Sequence, residues 1–252
     1  MSVVGYDNLM SFLYHAFFFD PLYNILVLLF KLFPWADAGI IVIFLTILVR
    51  LIMFPLSRKA VLTQVKMAEI APDLVEIKEK YKDRAEEQAK LTLALYREKG
   101  VNPFSGILVI IIQIPIIFAL YQIFLHFPEV NSALLYSFVT APDHINTIFL
   151  GFLNITAKNA PIALLAAIST FFQFQISLKG QTQPKGNSFG DNLTRSMQTQ
   201  MKYFFPVIVF FISYKISGVI ALYWLTTNLF SIAQELFVRK NIKTNQAKKL
   251  PI

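Results

Sequence analysis

The sequence predicts an all-α polytopic membrane protein, with five transmembrane helices around a hydrophilic groove, an outer interfacial helix and a cytoplasmic helical hairpin. Three observations carry this. Of 252 residues, 56% are hydrophobic and only 15% charged, with a mean hydropathy of +0.56, beyond what a soluble domain of this size shows. The apolar residues are gathered into runs long enough to cross a bilayer. Lys and Arg are segregated between the connecting stretches, nineteen on one side and three on the other.

Residues 1–37 form the outer N-terminal segment. Its first twenty residues contain no Lys or Arg, so the basic start of a cleavable signal peptide is not expected. Asp20-Pro21 reads as an N-cap followed by proline at the first helical position. The helix from Pro21 to Phe33 is thirteen residues, about 20 Å, too short to span; it is expected to lie on the membrane, with Lys31 and Trp35 at headgroup level. The first crossing is 38–57. Over 58–103 the composition changes abruptly: ten basic and eight acidic residues stand between Arg58 and Lys99, with Val61, Val65, Leu74, Ile77 and Tyr81 at helical spacing. Pro72 opens a new helical stretch, Lys82-Asp83-Arg84 offers a turn and Lys99-Gly100 ends the second arm, which makes a charged helical hairpin in water.

The second crossing, 104–127, contains Gln113 and Pro115. An outer loop of short apolar pieces, 128–160, leads to the third crossing, 161–178, where Ser169, Gln173 and Ser177 share one helical face. Residues 179–202 are rich in Gly, Gln, Asn, Ser and Thr and are expected to be a mobile cytoplasmic loop. The apolar block from Tyr203 to Phe237 is thirty-five residues, about 52 Å as one helix against a ~30 Å hydrocarbon core. It therefore divides into crossings at 203–217 and 219–237, turning between Tyr214 and Gly218, before a basic cytoplasmic tail, 238–252. The three outer basic residues are Lys31, Lys158 and Lys215, which puts the N-terminus outside and the C-terminus in the cytoplasm.

One cation sits inside an apolar run. Arg50 cannot shed its proton, and mid-membrane placement costs ~2.5–3.5 kcal/mol on insertion scales. Two readings stand at this stage: the side chain snorkels over ~10 Å to the cytoplasmic headgroups, or it lines a wet polar cavity. The other polar residues in apolar segments are Thr46, Gln113, Ser169, Gln173, Gln175, Ser177, Tyr223, Trp224, Thr227, Asn228 and Ser231. Singly each is ordinary helix-to-helix glue; spread over several crossings beside a lone arginine, they favour a shared cavity.

Other chemistry is largely excluded. With no cysteine there are no disulfides, thiolate metal sites or cysteine nucleophiles, and no lipid-anchoring cysteine near the N-terminus. His15, His126 and His144 are too widely spaced for a metal cluster, and no phosphate-binding Gly-x-x-x-x-Gly-Lys motif occurs. No catalytic residue, metal or cofactor is assigned, and the chain is not expected to be an enzyme. The net charge of +8 mainly records topology, although a basic cytoplasmic face also suits anionic lipid or ribosomal RNA.

The run Arg50-Leu-Ile-Met-Phe-Pro-Leu56, followed by Ala71-Pro72, Lys78-Glu-Lys-Tyr81, Leu95-Tyr96, Gly100-Val-Asn-Pro103, Gln113-Ile-Pro115 and Ala119-Leu-Tyr121, resembles the YidC/Oxa/Alb family of membrane protein insertases. Leu222-Tyr-Trp224 with Thr227-Asn228 matches too. The resemblance covers residues 20 to 240 or so. It implies a five-helix core whose groove is open to the cytoplasm and the lipid but closed outside. Arg50 would be the groove arginine and 58–99 the cytoplasmic hairpin, with Gln173 and Trp224 as further groove residues and Gln175 the alternative to Gln173. The client-binding groove is thus expected to comprise Arg50, Thr46, Gln113, Gln173, Gln175, Tyr223, Trp224, Thr227 and Asn228. Implied partners are client membrane proteins, the phospholipid bilayer and, at the cytoplasmic face, the Sec translocon, the signal recognition machinery and the ribosome. The sequence departs from the family pattern at Val109, where a proline is usual. The large outer domain and extra first helix of Gram-negative members are not expected, and the short tail weakens the expectation of strong ribosome docking. The expected compartment is a bacterial plasma membrane. The rival from another class is an anion channel or carrier with Arg50 as selectivity residue; no internal repeat supports it.

Overall fold

A computed structural model describes residues 9–102, 105–179 and 189–247. The first eight residues, Pro103 and Phe104 at the end of the hairpin, Lys185 within the expected loop and Lys248 and Lys249 of the tail lie outside them. The described chain is mostly helical. It comprises α1 (Leu9–Tyr14), α2 (Asp20–Leu32), α3 (Ala38–Ile52), α4 (Phe54–Glu69), α5 (Ala71–Lys80), α6 (Ala85–Glu98), α7 (Ser105–Leu125), α8 (Ala160–Ser177), α9 (Phe189–Thr199), α10 (Phe205–Ile216) and α11 (Gly218–Ala247), with a two-residue hairpin of β1 (Ile148–Phe149) and β2 (Leu153–Asn154). Leu9–Leu32 and Ala160–Ser177 are each long and apolar enough to cross a membrane, and α3 with α4 passes the same test as a pair.

Asp20 does not cap a helix start. It has helical dihedrals, φ −61° and ψ −44°, because α1 and α2 are joined through a π-helical turn, His15–Phe19, into one rod. The Asp20 N–H donates to His15 O, and the widened turn carries the helix past Pro21, whose ring and missing N–H disfavour an ordinary α-turn. A second π-turn, Gln200–Phe204, does the same before Pro206 and joins α9 to α10. The stretch expected as a mobile loop is therefore helical from Phe189 to Thr199: extending a helix that already exists is cheap even for polar residues.

The first crossing and the hairpin also meet differently than expected. The axis turns by 61° at Met53, between α3 and α4, where Pro55 starts the new helix. The first arm thus begins at Phe54 and not Arg58. Beyond it α5 starts at Ala71 with Pro72 in its first turn, and α6 returns after the turn at residues 81–84. Gly100, at φ +59°, ends α6 while Val101 N donates to Tyr96 O and Gly100 N to Arg97 O, the paired bonds of a Schellman motif.

α11 is the central element, packed against α3, α4, α7, α8 and α10. At thirty residues, about 45 Å, it runs ten residues past the expected end of the last crossing. One core joins α2, α3, α7 and the start of α11 to the segment between α7 and α8; a smaller one joins α8 to α11.

The α7–α8 segment is a built roof. Ile155 O accepts from Val219 N at 2.8 Å, Ala157 O from Gly218 N at 2.9 Å and Asn146 O from Ala38 N at 2.8 Å, so this loop satisfies free N–H groups at the starts of both α3 and α11. Asp37 Oδ1 caps α3 at Ile40 N while Oδ2 accepts from Leu150 N. Two glycines let the loop come so close: a Cβ on Gly39 would stand 2.2 Å from the Phe149 ring, and one on Gly218 would stand 3.0 Å from Ile155 O.

The α1–α2 rod attaches to the same end. Tyr14 OH donates to Gln122 Oε1, Tyr23 OH accepts from Asn131 N, Asn24 bonds Leu134 O and Tyr136 N, and Phe30 stacks on Phe127. Between Tyr14 and Phe30 the rod covers about 24 Å, whereas Gln122 to Phe127 on its partner covers about 8 Å. The rod therefore extends well beyond the stretch it meets there.

Candidate functional site

Arg50 lies in the last turn of α3, about 18 Å along the helix from the roofed end at Ala38. The α3 carbonyl end favours a cation there. Arg50 is crowded by neighbouring elements yet keeps accessible surface, and among the described residues it makes no hydrogen bond or ion pair. Tyr223 of α11 is an ionisable side chain close to it. The Tyr223 hydroxyl accepts a long bond, 3.4 Å, from Gln113 Nε2 of α7. Gln113 Oε1 and Thr227 Oγ1, one helical turn beyond Tyr223, are buried without a close hydrogen-bond partner, Thr227 having only the Tyr223 hydroxyl nearby. Three helices thus bring together a guanidinium, an amide, a phenol and a threonine hydroxyl whose hydrogen-bonding capacity is largely unspent. Buried polar groups are normally satisfied, so such a group of orphans marks a place where water or a polar ligand belongs.

The other expected groove residues divide differently. Thr46 is buried with its hydroxyl donating to Val42 O at 2.7 Å. Asn228 is buried and gives its amide to Thr170 Oγ1 at 2.7 Å and Ser169 Oγ at 3.0 Å, so it fastens α11 to α8. Trp224 turns towards α10, edge to face with Phe205 at 6.4 Å. Gln173 reaches Ser177 Oγ along its own helix at 3.5 Å, while Gln175, about 200° further round α8, is exposed. The fold gathers Arg50, Gln113, Tyr223 and Thr227, and leaves Thr46 and Asn228 bonded within the bundle.

A polar layer that the sequence reading missed lies further along α11. Gln234 Nε2 donates to Ser57 Oγ at 2.6 Å, tying α11 to α4 just past the bend. The next residue, Glu235, is 4% exposed; it accepts from Ser177 Oγ of α8 at 2.6 Å and is bridged by Arg239 NH2 at 2.8 Å. The signal was present as an acid inside an apolar block with a base at i+4. That base claims the carboxylate, and Arg50 keeps no acidic partner.

The fold and site together define a helical membrane protein that is closely packed at one end and carries an unpaired arginine among polar side chains towards the other. The model of the 60Kd inner membrane protein family matches residues 28–246, and the chain belongs to this family, the YidC/Oxa/Alb family of its sequence motifs. It is 30% identical over 231 residues to the membrane protein insertase YidC of Wolinella succinogenes, covering 92% of this chain and 38% of that one. To the protein of the same name from Pelobacter propionicus it is 29% identical, covering 80% and 35%. To that from Oceanobacillus iheyensis it is 31% identical, covering 80% and 74%. The chain thus spans little more than a third of the length of the first two relatives.

Proposed function

We propose that the protein inserts other membrane proteins into a bacterial inner membrane, through a hydrophilic groove and without nucleotide. α3, α7, α8, α10 and the apolar part of α11 are the five crossings, the roof lies outside, and α4–α6 stand in the cytoplasm as the basic-residue count requires. The α1–α2 rod, tied through Tyr14, Tyr23, Asn24 and Phe30 to the end of α7 and the loop that follows it, rests on the outer surface despite its 24-residue length.

The observation that carries the reading is Arg50, without an ion pair among the described residues, near a Tyr223 flanked by the unsatisfied groups of Gln113 and Thr227. Water at that level lets a client's short polar tail enter partway across, which lowers the remaining desolvation barrier. The guanidinium attracts acidic residues of the tail where the dielectric is below that of water. Burial of the client's apolar segment in lipid, worth ~25 cal/mol per Å², drives the step. The hairpin receives the client or its targeting partners, and Sec, signal recognition and ribosomal contacts fall on the same face. No group in this scheme makes or breaks a covalent bond, so the protein acts as insertase and chaperone and not as an enzyme.

A channel built on Arg50 needs a pore open at both ends, and the bonded roof over α3 and α11 weighs against it. Liposomes containing only the purified protein provide the test. Insertion of an acid-tailed client without added nucleotide and without anion conductance is expected; anion conductance without insertion would overturn the reading.

A further inference from the structure

A second concave site, away from Arg50, lies between the end of α7, the roof and the α10–α11 turn. It is a cavity of about 270 Å³ lined chiefly by Phe124, Leu125, Phe127, Thr156, Lys215 and Ser217. Phe124 and Val219, which also lines it, belong to the main core at 3% and 1% exposure, so the floor is sealed and the cavity is a blind pocket. Leu125 on its rim is 48% exposed and continues the exposed apolar face of α7 through Phe118, Tyr121 and Leu125. One wall is therefore apolar and open sideways.

The other wall is polar. Lys215, in the last turn of α10, is exposed and makes no ion pair among the described residues. Ser217 is 6% exposed, and its Oγ has no hydrogen-bond partner. It sits in the single extended residue between two helices, φ −167° and ψ 162°, where no preceding helical carbonyl takes up its proton. The Thr156 hydroxyl is already spent on Asn154 Oδ1 at 2.7 Å. The pocket thus offers one cation and one free hydroxyl donor beside a hydrocarbon-like rim.

We propose that this pocket holds the headgroup of an anionic phospholipid of the outer leaflet. Its phosphodiester lies against Lys215 and Ser217, and an acyl chain runs down the Phe118–Leu125 face of α7. This rests on the reading that the ends of α7 and α10 reach the outer surface, but not on Arg50 or on insertion. An amphipathic, blind, laterally open pocket with uncompensated positive charge matches a lipid in each respect. An acidic peptide on its way out would need a passage through the floor.

Native mass spectrometry of the full chain in detergent, with phosphatidylglycerol and phosphatidylcholine at equal concentration, tests it. Preferential retention of one phosphatidylglycerol is expected, weakened about fivefold by Lys215→Gln, the usual contribution of one lysine at an anionic lipid surface. Ser217→Ala should weaken it less, and Lys158→Gln should leave it unchanged. Equal retention by wild type and Lys215→Gln would overturn the proposal, and so would displacement of the lipid by inorganic phosphate, which would make the pocket a free-anion site. A photo-crosslinking residue at Thr156 should capture lipid; capture of a translocating client there would reassign the pocket to the client's exit path. Insertion can fail in liposomes while the lipid preference stands, so the two proposals fall separately.

Discussion

The roofed end and the opposite end of the bundle are built from the same kinds of helix but differ in their backbone and charged groups: apart from Ser213 and Ser217, beside the exposed Lys215 at the α10–α11 turn, the roof pairs what it buries. At the roof, N–H groups opening α3 and α11 are taken up by loop carbonyls, Asp37 spends both oxygens, and Ile155 has no exposed surface. Around Arg50, by contrast, a cation, an amide oxygen and a hydroxyl are left without partners. A packed interior tolerates such orphans poorly. The contrast teaches that the bundle is closed by backbone bonding at one end and keeps unsatisfied polar groups towards the other, which is what the proposed entry of a client tail from one side requires.

The largest effect that should separate the two ends is on activity. Arg50→Ala in a depletion strain should lower insertion of a client with an acidic N-tail by about tenfold or more, as expected for losing a hydrogen bond to a charged group. Arg50→Lys should keep much of the activity, and an alanine variant at wild-type level would erase the electrostatic distinction between the ends. At the roof the cost should fall on stability instead: Gly39→Leu drives a side chain into Phe149 and should destabilise the protein by about 1–3 kcal/mol in thermal unfolding. An unchanged melting temperature would mean the roof is looser than its bonds imply. The smallest stability effect belongs to Gln113→Leu. Removing an amide whose oxygen is unsatisfied and whose nitrogen makes only a long bond to Tyr223 should shift stability by less than about 1 kcal/mol while reducing client insertion; severe destabilisation would show that Gln113 is a structural residue.

Much of this contrast was legible in the chain. Arg50 stands out because no charge belongs in an apolar run. The hairpin declares itself through Pro72, Gly100 and its charge density, and the bases fall to one side. The roof was not legible, because its bonds join residues over sixty apart, such as Ile155 and Val219, and its apolar pieces read as ordinary loop. Gly39 and Gly218, placed at helix starts where glycine has no local advantage, were the available hint. The π-turns were hidden for a related reason: a proline ordinarily marks a helix start, whereas here a widened turn precedes each of Pro21 and Pro206 and the helix runs on. Among the site residues, Thr46 was indistinguishable from Thr227 by type, and Asn228 carries the same amide as Gln113. What separates them is the acceptors they find, Val42 O for one and the α8 hydroxyls for the other.

The central claim is that water reaches Arg50 from the cytoplasm and from nowhere else. The chain contains no cysteine, so single cysteines at Gln113 and Ile155 can be probed with a membrane-impermeant maleimide in vesicles of either orientation. The account predicts that Gln113→Cys is labelled only when the cytoplasmic face is exposed and that Ile155→Cys is labelled from neither side. Labelling of Gln113→Cys from the outside, or its complete protection from both, would contradict it.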